Sequence, residues 1–596
     1  MILRYRRRIA ALSLIYFVLS LCFTQDASAQ NSDRSSDSAA FSRVPTVYED
    51  PELVMEYQKS ITADDLAAHL YLFASDFFEG RETSTRGQKL AAGYLASQYR
   101  KMGIAAKGTA PNSGPRDPAA YFQLVPLYGS KIASSNIVVT SGGSEIGSST
   151  FSSGDIDGHS YLMFGEAPAV SGSVVFGGYG IADDDLGYND YAALESAGIS
   201  YTDGWLMILA DEPLSGPEKS MLSTEDGAPS RWTTDRFDKL RYMMSSTPKG
   251  VLIVGDTSPR EKSSVKERAM KAGKGLDGVG SLSLTPPDAD GGQRRSFPPM
   301  FVISSEFANT ILATSGRTVE SIQKEINGSL KPVVFVLDDV QISSTIKMDT
   351  YEAESENVVA FIEGSDPVLK HEYVVISSHY DHIGMDESAE GDGINNGADD
   401  DGSGTVAVLE IAEAFEKARR DGVGPRRSIL FLNVTGEEKG LLGSAYYTDT
   451  EPIVPLEKTV TNLNIDMIGR IDPTHPGKDD YYVYIIGSNL ISQELHDKNQ
   501  RVNELTKINL DLNERFNSKD DPNQFYRRSD HWNFGKHNIP FIFFFTGTHD
   551  DYHSVGDEPD KIEYERLAKI TQLIFATAWQ VANQDKVPEV SGEGFK

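Results

Sequence analysis

The sequence predicts an α/β fold, a mostly parallel mixed sheet sandwiched by helices, interrupted by a β-rich insertion. Three observations carry this. From Asn357 onward, continuous apolar runs alternate with amphipathic stretches. Candidate metal ligands follow those runs, and residues from about 155 to 342 have a different, Gly-, Pro- and Ser-punctuated texture with none of the candidate ligands. Unbroken apolar runs mark strands buried on both faces, as in a parallel sheet covered by helices.

Residues 1–29 read as a secretory signal peptide. Arg4, Arg6, Arg7 and Arg8 precede an apolar stretch from Ile9 to Phe23, followed by Ala27-Ser28-Ala29. That is the basic, apolar and A-x-A order of a cleaved leader, and about 15 apolar residues fall short of the ~20 that span a bilayer. The expected product is exported to the periplasm or beyond, with no stable membrane insertion after cleavage. Cys22 is the only cysteine, so a chain starting at Gln30 has no disulfide or thiolate chemistry. Leu21 is larger than the residue that usually precedes a lipidated cysteine.

Residues 30–50 are polar and Ser-rich, the composition of a flexible tether. The N-terminal part of the main domain follows at 51–154. Helical periodicity there groups Ala67, Leu70, Leu72, Phe73 and Phe77, then Leu90, Ala91, Tyr94, Leu95 and Tyr99. The insertion, 155–342, offers short β-like runs such as VVFGGYGI, WLMILAD and GVLIVGD.

The main domain resumes at 343–585. Its strands are NVVAFIEG, EYVVISSH, RSILFLNVTG, LNIDMIG, YYVYIIG and IPFIFFFTG. The helix after GADDDGSG sets Val408, Ala412 and Phe415 on one stripe, with Glu410, Glu413, Glu416 and Lys417 elsewhere. Residues 586–596 form a C-terminal tail. A net charge of −31 argues against a nucleic-acid partner, which would need clustered Lys and Arg.

Five candidate ligands end or follow strands: His379 in SSHYDHIG, Asp400 in GADDDGSG, Glu438 in VTGEEKG, Asp466 in LNIDMIGR and His553 in DDYHSVGDEPDKI. Open α/β sheets place ligands at the carboxyl ends of their strands, where such scattered residues converge. Two histidines and three carboxylates suit two zinc ions sharing one carboxylate, and the spare Glu437 suits a general base. Asp381, two residues from His379, can fix the imidazole from behind. His382 is set aside, because no HExxH helix exists. Asp399, Asp401, Ser403, Gly404, Val406 and Glu410 also fit an EF-hand calcium loop, but GDGINNG cannot form its entering helix.

SSHYDHIG, GADDDGSG, TGEEKGLLGS, NIDMIGR and YHSVGDEPDKI, in that order, resemble the co-catalytic zinc peptidase family of bacterial leucyl aminopeptidases and glutamate carboxypeptidase II. The resemblance implies a zinc exopeptidase fold, a peptide substrate and two Zn2+. It implies that His379 and Asp466 hold one zinc, Glu438 and His553 the other, and that Asp400 bridges them across a cis Asp400–Asp401 peptide. Glu437 would be the general base, Asp381 the residue orienting His379, and Tyr552 a support for the oxyanion. The insertion resembles a protease-associated domain through VVFGGYGI, YNDYAAL and WLMILAD. These relations imply an exported aminopeptidase. A carboxypeptidase, a one-zinc glutaminyl cyclase-like transferase and a non-catalytic binding protein stand as alternatives on one scaffold. Arg470, Arg527 and Arg528 lie near the motifs, where a carboxypeptidase would need cations; surface or structural roles are the commoner reading.

Overall fold

The computed structural model describes residues 43–594 apart from short internal stretches, the longest being 287–296 and 476–480. The expected leader and the tether up to residue 42 lie outside the described residues. The last part of that tether is corrected: residues 43–50 are packed. Val44 and Val47 are buried, the Trp579 indole N–H donates to the Pro45 carbonyl at 2.9 Å, and Asp50 caps the first helix. Two valines in a polar stretch are enough to dock it.

Three helices lead in: α1 (Pro51–Gln58), α2 (Ala63–Phe73) and α3 (Arg86–Met102). The 20-residue strand β1 (Phe122–Ser141) pairs antiparallel with the 29-residue β2 (Val334–Ile362) from Ser141↔Val340 to Phe122↔Val358. There follow β3 (Tyr373–His379), α4 (Gly404–Arg420), β4 (Ser428–Val434), β5 (Thr459–Ile465), β6 (Tyr482–Ile486), β7 (Phe541–Phe545) and α5 (Tyr564–Asn583).

The pairings run β2, β4, β3, β5, β7, β6; β4 to β7 are mutually parallel, while β2 and β6 flank them antiparallel. The sheet is therefore mixed with a parallel centre. Alternate residues of the strands enter different cores. Val374 and Ile376 join the helices in the larger core, whereas Val375, Leu430 and Leu432 pack against Tyr447, Phe534 and Ile539. Burial on both faces is the reason these strands are apolar throughout.

A second apolar core assembles around strands Ala169–Gly177, Trp205–Leu209, Gly250–Val254 and Met300–Ile303, which are mutually parallel. Its members include Ile137 and Val139 before, and Ile346 after, the expected limits of 155 and 342. Both limits fall inside or beside the long β1–β2 ribbon, which stays paired through a register shift at Lys347/Met348 as it leaves one core for the other. The N-terminal helical set is also corrected: Leu66, Leu70 and Phe73 are buried, while Leu72, Phe77 and Leu90 face solvent. In α4, Glu410 and Glu416 are buried beside the apolar stripe, faced by His69 and by Arg419 with Arg420 respectively. No helix among the described residues is long and apolar enough to cross a membrane.

Candidate metal centre

The parallel centre aligns the carboxyl ends of β3, β4, β5 and β7 on one edge, and the candidate residues gather there. His379 ends β3, Asp466 follows β5, and Glu437 and Glu438 lie in the loop after β4. Asp400 lies in the turn before α4, and His553 in the loop between β7 and α5.

Two groups of ligand atoms share Asp400. His379 Nε2 lies 3.2 Å from Asp400 Oδ1 and 3.6 Å from Asp466 Oδ1. On the other side, His553 Nε2 lies 3.1 Å from Asp400 Oδ2 and 3.1 Å from Glu438 Oε2. His382 Nδ1 also reaches Glu438 Oε1, at 2.9 Å. Two ligands about 2.0–2.1 Å from a tetrahedral zinc stand about 3.3 Å apart, so these separations fit the ion. The sequence reading set His382 aside; the fold brings it into the second group, with Asp400 and Glu438.

Electrostatics make the same demand. Burial opposes charge on His379, yet Glu437, Asp466 and Asp400 hold its pKa well above the usual histidine range. Burial likewise opposes charge on His553, but Asp400 and Glu438 raise it to about 10. Glu437 is pushed well up by burial, against His379 and with Glu438 and Asp466. Close-set buried carboxylates call for positive charge, and His379 Nε2 is buried without a hydrogen-bond partner. The donor set thus fits divalent metal.

The three aspartates of GADDDGSG divide the work. The Asp400–Asp401 peptide is cis. Asp401 turns inward: its carboxylate accepts the backbone N–H groups of His379 (3.2 Å), Met467 (3.2 Å) and Gly404 (2.9 Å). It therefore ties together two ligand-bearing strands and the start of α4, which leaves no calcium loop. Position 404 must be glycine, since a Cβ there would sit 2.4 Å from Asp401 Oδ1. Asp399 Oδ1 accepts Gly469 N–H at 2.6 Å. Asp557, four residues beyond His553, accepts the N–H groups of Asp399 and Asp400, each at 3.0 Å.

Asp381 meets the His379 imidazole chiefly through its backbone. Its carboxylate stands 3.8 Å from His379 Nδ1, whereas its own carbonyl lies at 3.1 Å. That carboxylate accepts instead from Thr83 Oγ1 (2.7 Å) and Glu437 N–H (3.2 Å), so it fixes the Glu437 loop. Tyr552 stacks on His553 with centroids 3.9 Å apart and lines a pocket with Asp400, Glu437 and Asp466. Burial and the nearby carboxylates keep its phenol protonated.

Arg81 was not anticipated. It is fully buried and donates to the carbonyls of Tyr380 (2.9 Å), Phe73 (3.2 Å), Asn396 (2.6 Å) and Gly397 (2.9 Å). It braces the chain just after His379 and ahead of Asp400. Arg81→Met would orphan these acceptors and is predicted to cost about 3 kcal/mol or more in urea unfolding. A change within 0.5 kcal/mol would remove this bracing role.

The arginines separate. Arg470 pairs with Asp551 at 3.0 Å and stands 4.0 Å from Asp557, a structural position. Arg527 bonds Gln524 outside the pocket, while Arg528 lines it.

Two groups of candidate ligands thus meet on one edge of a mixed α/β sheet, and residues 357–578 match the model of peptidase family M28. The chain is 24% identical over 264 residues to the aminopeptidase YwaD of Bacillus subtilis, covering 43% of this chain and 51% of that one. It is 32% identical over 177 residues to the leupeptin-inactivating enzyme 1 of Streptomyces exfoliatus, covering 30% and 36%. It thus spans about half, or less, of these curated relatives. Among solved structures, an aminopeptidase from Aneurinibacillus sp. strain AM-1 aligns with a TM-score of 0.48 at 16% identity, covering 91% of this chain and 98% of that one.

Proposed function

We propose that the protein is an exported, zinc-dependent aminopeptidase that releases N-terminal residues from peptides. One observation carries this reading: two ligand groups share Asp400, and Glu437 stands in the same pocket. In this reading His379 and Asp466 hold one Zn2+, Glu438 and His553 the other, and His382 lies close enough to Glu438 to adjust the second site. The aminopeptidase names of the relatives support the substrate class. The insertion is taken as a protease-associated domain that shapes access.

Bound zinc supplies Lewis acidity, which acidifies water and polarises a carbonyl. Glu437, ionised once the surrounding charge is balanced, accepts the proton of the attacking water as oxygen bonds the scissile carbon. The protonated Glu437 then delivers that proton to the amide nitrogen as the C–N bond breaks, giving a free amino acid and a shortened peptide. Asp381 holds the Glu437 backbone for both transfers, and the protonated Tyr552 donates toward the oxyanion.

The test is hydrolysis of leucyl anilide against N-acetyl-leucyl anilide by the zinc-loaded protein. Cleavage of the unblocked substrate alone is expected. Equal cleavage, or cleavage of neither, would remove the aminopeptidase reading.

A further inference from the structure

The pocket beside Glu437 is chemically divided. Its floor carries Asp400, Glu437 and Asp466, and its walls are apolar: Met467, Phe525, Phe543, Phe545 and Tyr552. Among the described residues lining it, Arg528 is the only arginine or lysine. Its guanidinium lies over the Phe525 ring, 5.0 Å from the centroid, so the side chain rests on the wall. Arg528 makes no ion pair among the described residues, unlike Arg470.

The backbone fixes this position from both sides. Phe525 is buried and tilted against Phe545, with centroids 5.0 Å apart, and Arg528 N–H donates to its carbonyl at 3.2 Å. On the far side Ser529, Asp530 and His531 are buried. Asn464 donates to Ser529 Oγ at 3.0 Å, and His531 stacks on Phe543 at 4.5 Å. An arginine held between two anchored segments, with its charge unpaired, is pre-organised for a planar anion.

On the proposed peptidase reading, two zinc ions balance the four carboxylates around the pocket, and Arg528 remains as the uncompensated charge at its mouth. We infer that Arg528 is a specificity-determining residue that binds a substrate carboxylate. The enzyme thereby favours substrates carrying a carboxylate that reaches Arg528. That carboxylate comes either from an acidic first side chain or from the free C-terminus of a dipeptide.

Two matched pairs separate the sources: glutamyl against glutaminyl anilide, and leucyl-glycine against leucyl-glycinamide. Each pair differs by one charge, so the ratio of kcat/KM within a pair cancels any general loss of activity. In the zinc-loaded native protein one pair is expected to favour its carboxylate member by about tenfold, expressed in KM. Arg528→Gln should collapse that ratio to about one, and Arg528→Lys should retain part of it. Calorimetric titration with free glutamate and glutamine, and with the two dipeptide forms, repeats the comparison without turnover. Loss of hydrolysis with binding preferences intact would count against the peptidase reading alone. Ratios that are the same in the native protein and Arg528→Gln, in both turnover and binding, would overturn the assignment of Arg528.

Discussion

Glu437→Gln is expected to lower kcat by about 10^3-fold, within the range for loss of a general base, while bound zinc is unchanged. The amide keeps the size and position of the carboxylate in the loop held by Asp381, but it cannot take a proton from water. KM should move little, because Glu437 is not among the proposed ligands and the aromatic walls of the pocket are untouched. Turnover and zinc content measured on the same sample decide it. Full activity at normal zinc content would mean that another group carries the proton.

Asp400→Ala should have the second large effect, on metal first and on activity as a consequence. Each Asp400 oxygen faces a different histidine, Oδ1 toward His379 and Oδ2 toward His553. Removing both leaves each proposed site without its shared ligand. The variant is expected to retain neither zinc tightly and to show only background hydrolysis. It should also lose zinc-dependent stabilisation, about 4 kcal/mol at a thousandfold excess of zinc over its Kd. Asp400→Asn keeps one oxygen, as a neutral amide carbonyl, and should retain at most one tightly bound ion. Two tightly bound zincs in Asp400→Ala would rule out the bridge.

The strands and the gathering of the five candidate ligands were legible because each reduces to a local pattern. An apolar run of five to seven residues followed by a polar loop marks a buried strand and its open end. The middle aspartate of GADDDGSG was legible by family likeness alone. The supports were not. Asp401, Asp557 and Arg81 act through backbone groups far away in sequence, and a bond from a side chain to a distant N–H or carbonyl leaves no residue-type signature at the other end. His382 was set aside for lack of a helical motif, yet a loop delivers it to Glu438. The second core draws residues from beyond the expected insertion limits because β1 and β2 stay paired from one core to the other, with a register shift at Lys347/Met348. The exposure of Phe77 was missed because residues 76–81 form a 3-10 turn, so helical spacing from α2 no longer applies.

The most direct test of the central claim is zinc titration of the metal-stripped protein, with leucyl-anilide hydrolysis followed at each addition. The account predicts that activity rises to its maximum at two equivalents of tightly bound zinc. Full activity at one equivalent, or two bound equivalents with no hydrolysis, would contradict it.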